Sequence, residues 1–320
     1  MSPRTVLLRL LVLPILLPLA LGAQGGQTLE GYWTNTTLTP LERPADLAGK
    51  AVFTEKEATD YQNRILAAVN YDKREATAEA DISHSYNELF RERGVVVPDR
   101  RTSLIIDPPD GRIPPLTAEG QKKAQARAAD RRKRGADPAD HPEDRNLAER
   151  CVTRGAPKNP GGYNNNFQIL QTPGYVVILQ EMIHEARIIR LDDRLNNKSH
   201  IDPRIHLWMG DSIGHWEGKT LVVETTNFDD RIAANSFNCC GLAGENLRIT
   251  ERFTRIGDRI DYQYTVNDPV IYTRPWTASV PLTKIDEPIY EYACHEGNLA
   301  LGGILAGARA QEQAAATKNK

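Results

Sequence analysis

Residues 247–267, LRITERFTRIGDRIDYQYTVN, carry the clearest secondary-structure pattern of this 320-residue chain. Apolar and polar residues alternate in the second half of the stretch, which is the pattern of a strand with one buried face. The apolar residues of that strand are Ile260, Tyr262, Tyr264 and Val266. A turn sequence, Gly257-Asp258, separates it from a similar run at residues 247–256. The stretch therefore predicts an antiparallel hairpin.

Further runs of strand composition lie on both sides of this hairpin. They are residues 102–107, 175–179, 183–191, 205–209, 220–228 and 278–282. Turn sequences separate consecutive runs, and short connections favour an antiparallel meander over βαβ units. We expect a mainly β protein whose meander closes into a barrel, with a sandwich as the alternative. The Gly31-Tyr32-Trp33 segment resembles the start of lipocalin-like barrels, a resemblance that implies a fold and no function.

Two segments have a helical character. Apolar residues recur at helical spacing within residues 55–95, which predicts a helical insertion packed on the barrel or over its mouth. Residues 117–134 contain mostly Ala, Gln, Lys and Arg, with almost no large apolar side chain. This composition predicts a solvated surface helix. The alternative is a contact surface for a protein partner, formed by Arg131, Arg132, Lys133 and Arg134.

The first 22 residues have the composition of a secretory signal peptide. Arg4 and Arg9 accompany an apolar run that ends in small residues near Gly22. The run is shorter than a membrane-spanning helix and contains Pro14 and Pro18, so we favour a signal peptide over an anchor. We expect cleavage near Gly22.

The remaining chain predicts a soluble protein of the periplasm or the external medium. Residues 23–310 form one β-rich domain, and residues 311–320 form a flexible tail. With 40% hydrophobic and 26% charged residues, the composition is that of a globular protein. A net charge of -2 and the lack of phosphate-binding glycine motifs argue against nucleic-acid or nucleotide partners. No membrane span is expected after removal of the signal peptide. The sequence does not identify a protein partner.

The four cysteines are too few for a disulfide scaffold in a chain of this length. Cys151 precedes a loop rich in Pro, Gly and Asn, and Cys294 follows the last predicted strand, so we expect these two to be linked. Cys239 and Cys240 are adjacent, and a vicinal disulfide, two thiols and a link between chains stay open for them. A zinc site is disfavoured because no second C-x-x-C or C-x-x-H motif completes it.

Ionisable residues on otherwise apolar strand faces are the candidates for chemistry. Glu251 shares its predicted face with three apolar residues, and His184 and Glu224 have similar positions. Burial shifts the pKa of such groups toward the range that acid–base catalysis requires. His184, Glu224 and Glu251 are therefore candidate catalytic residues for an isomerase, lyase or hydrolase reaction. The alternative is a structural ion pair of Glu251 or Glu185 with Arg187.

We expect the same pocket to bind a small, largely apolar molecule. Its candidate ligand-binding residues are Arg187, Trp208, Trp216, Asn227, His295 and Asn298. Ser212 lies in a G-x-S-x-G sequence, but the helix that follows a catalytic serine elbow is not predicted, so we interpret the sequence as a turn. The spacing of the histidines matches no metal motif, and neither a metal nor a cofactor is predicted. A non-catalytic binding or interaction protein, or a metal-dependent hydrolase, stays open as an alternative.

Six stretches together resemble those of a large group of exported bacterial proteins of uncharacterised function. They are residues 39–44 (TPLERP), 107–115 (DPPDGRIPP), 171–176 (QTPGYV), 210–228 (GDSIGHWEGKTLVVETTNF), 273–277 (TRPWT) and 290–298 (YEYACHEGN). They are spread over nearly all of the chain after the signal. The resemblance implies export and a single cooperative unit from about residue 28 to 310, and it implies no particular activity. Cys239 and Cys240 lie outside the shared stretches.

Overall fold

The computed structural model contains a closed barrel of nine strands, which confirms the prediction of a mainly β barrel with a helical insertion. The structure describes residues 28–318, except 71, 75, 83–87, 136–137, 192–198, 235–241 and 243. The predicted signal peptide, Cys239 and Cys240 lie outside the described residues.

Nine of the eleven described strands follow one another around the barrel in chain order, and the other two extend the sheet beyond it. They are β1 (Gly31–Thr34), β2 (Ile105–Asp107), β3 (Asn166–Thr172), β4 (Tyr175–Gln180), β5 (Ala186–Leu191), β6 (Asp211–Glu217), β7 (Thr220–Thr226), β8 (Arg248–Ile256), β9 (Arg259–Asn267), β10 (Trp276–Ser279) and β11 (Leu282–Ile285). The ring order is β11, β1, β3, β4, β5, β6, β7, β8 and β9, and a pairing of β11 with β9 closes it. β10 and β2 extend the sheet as a branch from β9.

The β8–β9 hairpin has the register that the sequence pattern predicts. Its Cα partners run from Arg248 opposite Asn267 to Ile256 opposite Arg259. The alternating apolar residues of β9 are all buried, and their neighbours point away from the core. Removing these apolar faces from water is the main favourable contribution to closing the barrel.

The structure differs from the predicted strands in several places. β5 begins only at Ala186, because Met182–His184 is a 3-10 turn. Residues 205–209 contribute a single isolated bridge, from Leu207 to Phe228. β5 and β6 pair in parallel, since the long connection between them returns the chain to the same end of the sheet.

The described part of the chain contains four α-helices. They are α1 (Glu55–Ala68), α2 (Ala78–Ile82), α3 (Ala118–Arg134) and α4 (Leu299–Lys318). Thr54 and Glu57 form a capping box at the start of α1, and Tyr61 packs on Phe53 in a small second apolar cluster. α1 and α2 therefore form the predicted insertion.

The other two helices are largely solvated. Only Gly120 of α3 is buried, as predicted for a surface helix. α4 continues to Lys318, although a flexible tail is predicted from residue 311. Across the described residues, the search for a helix that is long and apolar enough to cross a membrane finds none.

The predicted disulfide between Cys151 and Cys294 is present, with a Cα–Cα distance of 5.8 Å. It links the loop before β3 to the chain after β11, across 143 residues of sequence. Cys151 is buried at 6% exposure, so the link is part of the packed structure.

Candidate functional site

The candidate catalytic residues His184 and Glu224 lie outside the barrel interior. His184 is exposed in the turn before β5, with Nδ1 2.8 Å from the carbonyl oxygen of Tyr292. Glu224 is exposed on the outer face of β7, with Oε1 3.2 Å from His200 Nε2. The prediction that these residues share a pocket with Glu251 is therefore wrong, because the inner faces of β5 and β7 carry the neighbouring residues instead.

Glu251 is buried on the inner face of β8, where it forms an ion pair with Arg187 of β5. Their side chains are 1% and 6% exposed. Arg187 Nη1 donates to Glu251 Oε1 at 2.9 Å, and Nη2 contacts Oε2. The Tyr262 hydroxyl donates to Oε1 at 2.8 Å. The structural alternative for Glu251 is thus confirmed, and we call Arg187 and Glu251 the buried pair.

Hydroxyl groups complete the surroundings of the buried pair. Arg187 donates from Nε to Ser212 Oγ and from Nη2 to Thr225 Oγ1, both at 2.9 Å. Ser212 lies within β6, so it occupies neither a catalytic elbow nor the predicted turn. Burial and the adjacent Glu251 charge raise the pKa of Tyr262 well above its ordinary value. Tyr262 is therefore a neutral hydrogen-bond donor at physiological pH.

A cavity of about 30 Å³ lies beside the buried pair. This exceeds the roughly 10–15 Å³ that a cavity needs to hold a water molecule. The apolar part of its wall consists of Ala156, Pro157, Phe167, Ile169, Ile178, Phe253 and Leu282. The polar part consists of Lys158, Gln180, Arg187, Glu251 and Tyr262. An apolar wall with a few fixed polar groups is typical of small-molecule sites.

Lys158 is a second buried cation in this wall, at 8% exposure. Among the described residues, the acceptor of its Nζ hydrogen bond is Asn165 Oδ1 at 3.1 Å, which is an amide and not a carboxylate. The same Nζ lies 5.5 Å from the centre of the Phe167 ring. The ammonium is therefore desolvated with little hydrogen-bond compensation.

This environment favours the neutral amine of Lys158. Burial lowers the pKa of Lys158 to about 7, and the charge of Arg154 acts in the same direction. The charges of Glu92 and Glu181 oppose this shift more weakly. At neutral pH the amine and the ammonium are thus both populated.

Gln180 offers a hydrogen-bond acceptor at the same cavity. It is 3% exposed on the inner face of β4, and its Nε2 donates to the Gly155 carbonyl oxygen at 3.2 Å. Its Oε1 is buried and has no hydrogen-bond partner among the described residues. A buried acceptor of this kind favours a ligand that can donate a hydrogen bond to it.

The loop that carries Lys158 enters the barrel interior, and we call residues 151–165 the plug segment. The disulfide to Cys294 fixes its start at Cys151. At its end, Asn165 is fully buried and donates from Nδ2 to Glu92 at 2.9 Å. Both ends of the plug segment are therefore anchored.

The middle of the plug segment is held by the barrel itself. The Tyr264 hydroxyl donates to Asn159 Oδ1 at 2.6 Å from the inner face of β9. Asn35 Nδ2 donates to the carbonyl oxygen of Lys158 at 2.9 Å. These contacts fix the backbone of Lys158, so its side chain extends along the cavity wall.

Apart from Arg187, the predicted ligand-binding residues do not line the cavity. Trp208 lies beneath an arginine side chain, and Trp216 packs against the edge of the core. The amides of Asn227 and Asn298 donate to backbone carbonyl oxygens. His295 is exposed. These residues have separate structural environments instead of a common pocket.

The basic helix α3 and a metal site are the two other candidate sites that the sequence offered. In α3, Arg134 pairs with Asp140 and Asp144, so part of the basic surface is already neutralised. Within the residues that the structure describes, no group of three His, Cys, Asp or Glu side chains could hold a metal ion. The strongest candidate site is thus the one around Lys158, where burial lowers the pKa of a lysine.

Sequence reasoning missed Lys158 and Gln180. Lys158 lies in a segment that reads as a linker, since residues 135–160 are rich in Pro, Asp and Asn and have no apolar period. Comparisons of the chain with protein-family models, with curated proteins and with solved structures find no match.

Proposed function

We propose that this protein binds a small, largely apolar molecule inside its barrel. The observation that carries the proposal is a largely apolar cavity whose wall includes Lys158 and Gln180, where Gln180 Oε1 has no hydrogen-bond partner among the described residues. One donor and one acceptor on an apolar wall suffice to orient a ligand with a single polar group. No cofactor is needed for this function.

Binding accounts for the geometry better than acid–base catalysis by Glu251. Both carboxylate oxygens of Glu251 are engaged by Arg187, and one of them also by Tyr262. A general base would have to give up these contacts in a buried site, where an uncompensated charge costs several kcal/mol. The buried pair therefore supports the cavity wall, and the proposed role is non-catalytic binding.

A ligand larger than this cavity requires the cavity wall to move. Residues 156–158 belong to the plug segment, whereas the other wall residues belong to hydrogen-bonded strands. A loop moves at a lower cost than a paired strand, because fewer backbone hydrogen bonds break. Because Asn35 holds the backbone at Lys158, the part of the wall that we expect to yield to the ligand is Ala156 and Pro157 of the plug segment.

Binding of 1-butanol, followed by ligand-observed NMR, tests the proposal. Ile178→Phe fills the cavity from the inner face of β4 and is expected to weaken binding by about tenfold or more, since ring and ligand compete for the same space. Val177→Phe is the matched control, because Val177 is the adjacent residue on the opposite face of β4. Equal binding by the wild type and Ile178→Phe would contradict an interior site.

We also propose that the protein acts in the periplasm or outside the cell. The signal-like residues 1–22, the resemblance to exported bacterial proteins and the Cys151–Cys294 disulfide support this location. Expression of the whole chain in a bacterium, followed by N-terminal sequencing of the periplasmic fraction, is expected to give a chain that starts near residue 23. Intact chain in the cytoplasm alone would contradict the proposal.

A further inference from the structure

We propose that the Lys158 amine forms an imine with a small aldehyde bound in the barrel cavity. This inference rests on the proposed function and adds the chemical class of the ligand. It depends on the position of the amine, on its protonation and on the groups that surround it.

The position of Lys158 suits a nucleophile. Its backbone is fixed by Asn35, and its Nζ lies beside the Phe167 ring in the cavity wall. Within the part of the chain that the structure describes, the acceptor of its hydrogen bond is Asn165 Oδ1, an uncharged amide oxygen. An amine with few hydrogen bonds keeps its lone pair available for attack on a carbonyl carbon.

The protonation of Lys158 also suits this reaction. A pKa of about 7 leaves about half of the amine neutral at pH 7. An exposed lysine has roughly one neutral amine in three thousand at that pH. Lys158 therefore has a large advantage in reactive fraction over surface lysines such as Lys219.

Among the described residues, the charged and titratable groups around the Lys158 amine are Arg154, Glu92, Glu181, Arg187, Glu251 and Tyr262. Arg187 and Glu251 compensate one another, and Tyr262 stays neutral because burial raises its pKa.

The step balances without an oxidant or a reductant. The amine lone pair attacks the aldehyde carbon, and the carbonyl π electrons move to oxygen, which gives a carbinolamine once a proton passes from nitrogen to oxygen. Loss of the second amine hydrogen with that hydroxyl group releases one water molecule and leaves a carbon–nitrogen double bond. Gln180 lines the same cavity as Lys158, and we assign its Oε1, which has no partner among the described residues, as the acceptor for the carbinolamine hydroxyl group.

Trapping with butanal tests the inference. The whole protein is treated briefly at pH 7 with limiting butanal and cyanoborohydride, which reduces an imine to a stable amine, and peptide mapping locates the added butyl group. We expect Lys158 to be labelled about ten times faster than the exposed Lys219, or more, because of its neutral fraction.

The outcomes separate this inference from the proposed function. Labelling of Lys158 no faster than that of Lys219, in a protein that still binds 1-butanol, overturns the imine and leaves interior binding intact. Loss of both overturns the two proposals together. Lys158→Met is the control variant for the labelling: it should show only the slow surface labelling. Fast labelling that persists in Lys158→Met would place the reactive amine elsewhere and contradict the inference.

Discussion

The strand wall and the plug segment each bury one cation inside the barrel, and they treat it differently. Arg187 in the wall donates to a carboxylate and to two hydroxyl groups. Lys158 in the plug segment donates to one amide oxygen. Burial disfavours the charged form of both side chains. Arg187 stays charged because the network compensates it, whereas Lys158 is easily deprotonated because a neutral amide oxygen compensates it only weakly. The wall thus supplies stability, and the plug segment supplies the reactive group.

The largest expected effect concerns the anchor of the plug segment. Replacing Cys151 and Cys294 together by Ser removes a loop closure of 143 residues, and the entropy of that closure corresponds to about 5 kcal/mol of unfolding free energy. Urea unfolding measures the loss, and reduction of the wild type should reproduce it. A loss below about 1 kcal/mol would mean that other contacts hold the plug segment without the disulfide.

The next effect concerns the buried pair of the wall. Arg187→Met leaves Glu251 buried without its cation and should lower the unfolding free energy by about 3–5 kcal/mol. Adding Glu251→Leu should recover most of this loss, because no charge then stays buried. Arg252→Met is the matched control, since Arg252 is adjacent on β8 and its ion pair with Glu217 is exposed; its effect should be under about 1 kcal/mol. Equal effects of Arg187→Met and Arg252→Met would remove the distinction between inside and outside.

The smallest effect is a dependence of stability on pH. The folded pKa of Lys158, about 7, lies below its unfolded value of 10.5, so the unfolded chain binds more protons between these pH values. The unfolding free energy should therefore rise from pH 7 to 9, by up to about 1.4 kcal/mol per pH unit. Lys158→Met should lose this rise, whereas Lys219→Met should keep it. A flat profile in the wild type would show that Lys158 titrates as an exposed lysine does.

The strand wall was predictable where one face is apolar and the other polar. The alternation in β9 and around Glu251 in β8 gave the correct buried face. It failed for β7, because Leu221, Val222 and Val223 are consecutive apolar residues that fit either face. Glu224 was therefore assigned to the wrong side of the sheet.

The error at His184 has a backbone cause. Ile183 and His184 have φ values of 64° and 45°, in the left-handed region that side chains rarely adopt. This turn shifts the alternation by one residue, so Arg187, Ile189 and Leu191 of β5 face the barrel core, and the face that would continue from His184 is turned outward. Apolar periodicity contains no signal for such a turn.

The plug segment was not predictable, for a different reason. Its residues have neither a helical nor a strand period, and the burial of Lys158 depends on contacts with Asn35, Asn165 and Tyr264, which are distant from one another in sequence. The predicted disulfide between Cys151 and Cys294 was the only sequence signal that this segment is attached to the rest of the structure. Long-range contacts of this kind are set by the closed barrel and not by local sequence.

The most direct measurement is an NMR titration of the lysine side chains, labelled with ¹³C at Cε, with the Lys158 signal assigned by its loss in Lys158→Met. The predicted result is a midpoint of about 7 for that signal, far below the value of about 10.4 that is usual for a lysine side chain. A midpoint above 10 for Lys158 would contradict the central claim that the barrel holds a neutral, reactive amine at its cavity.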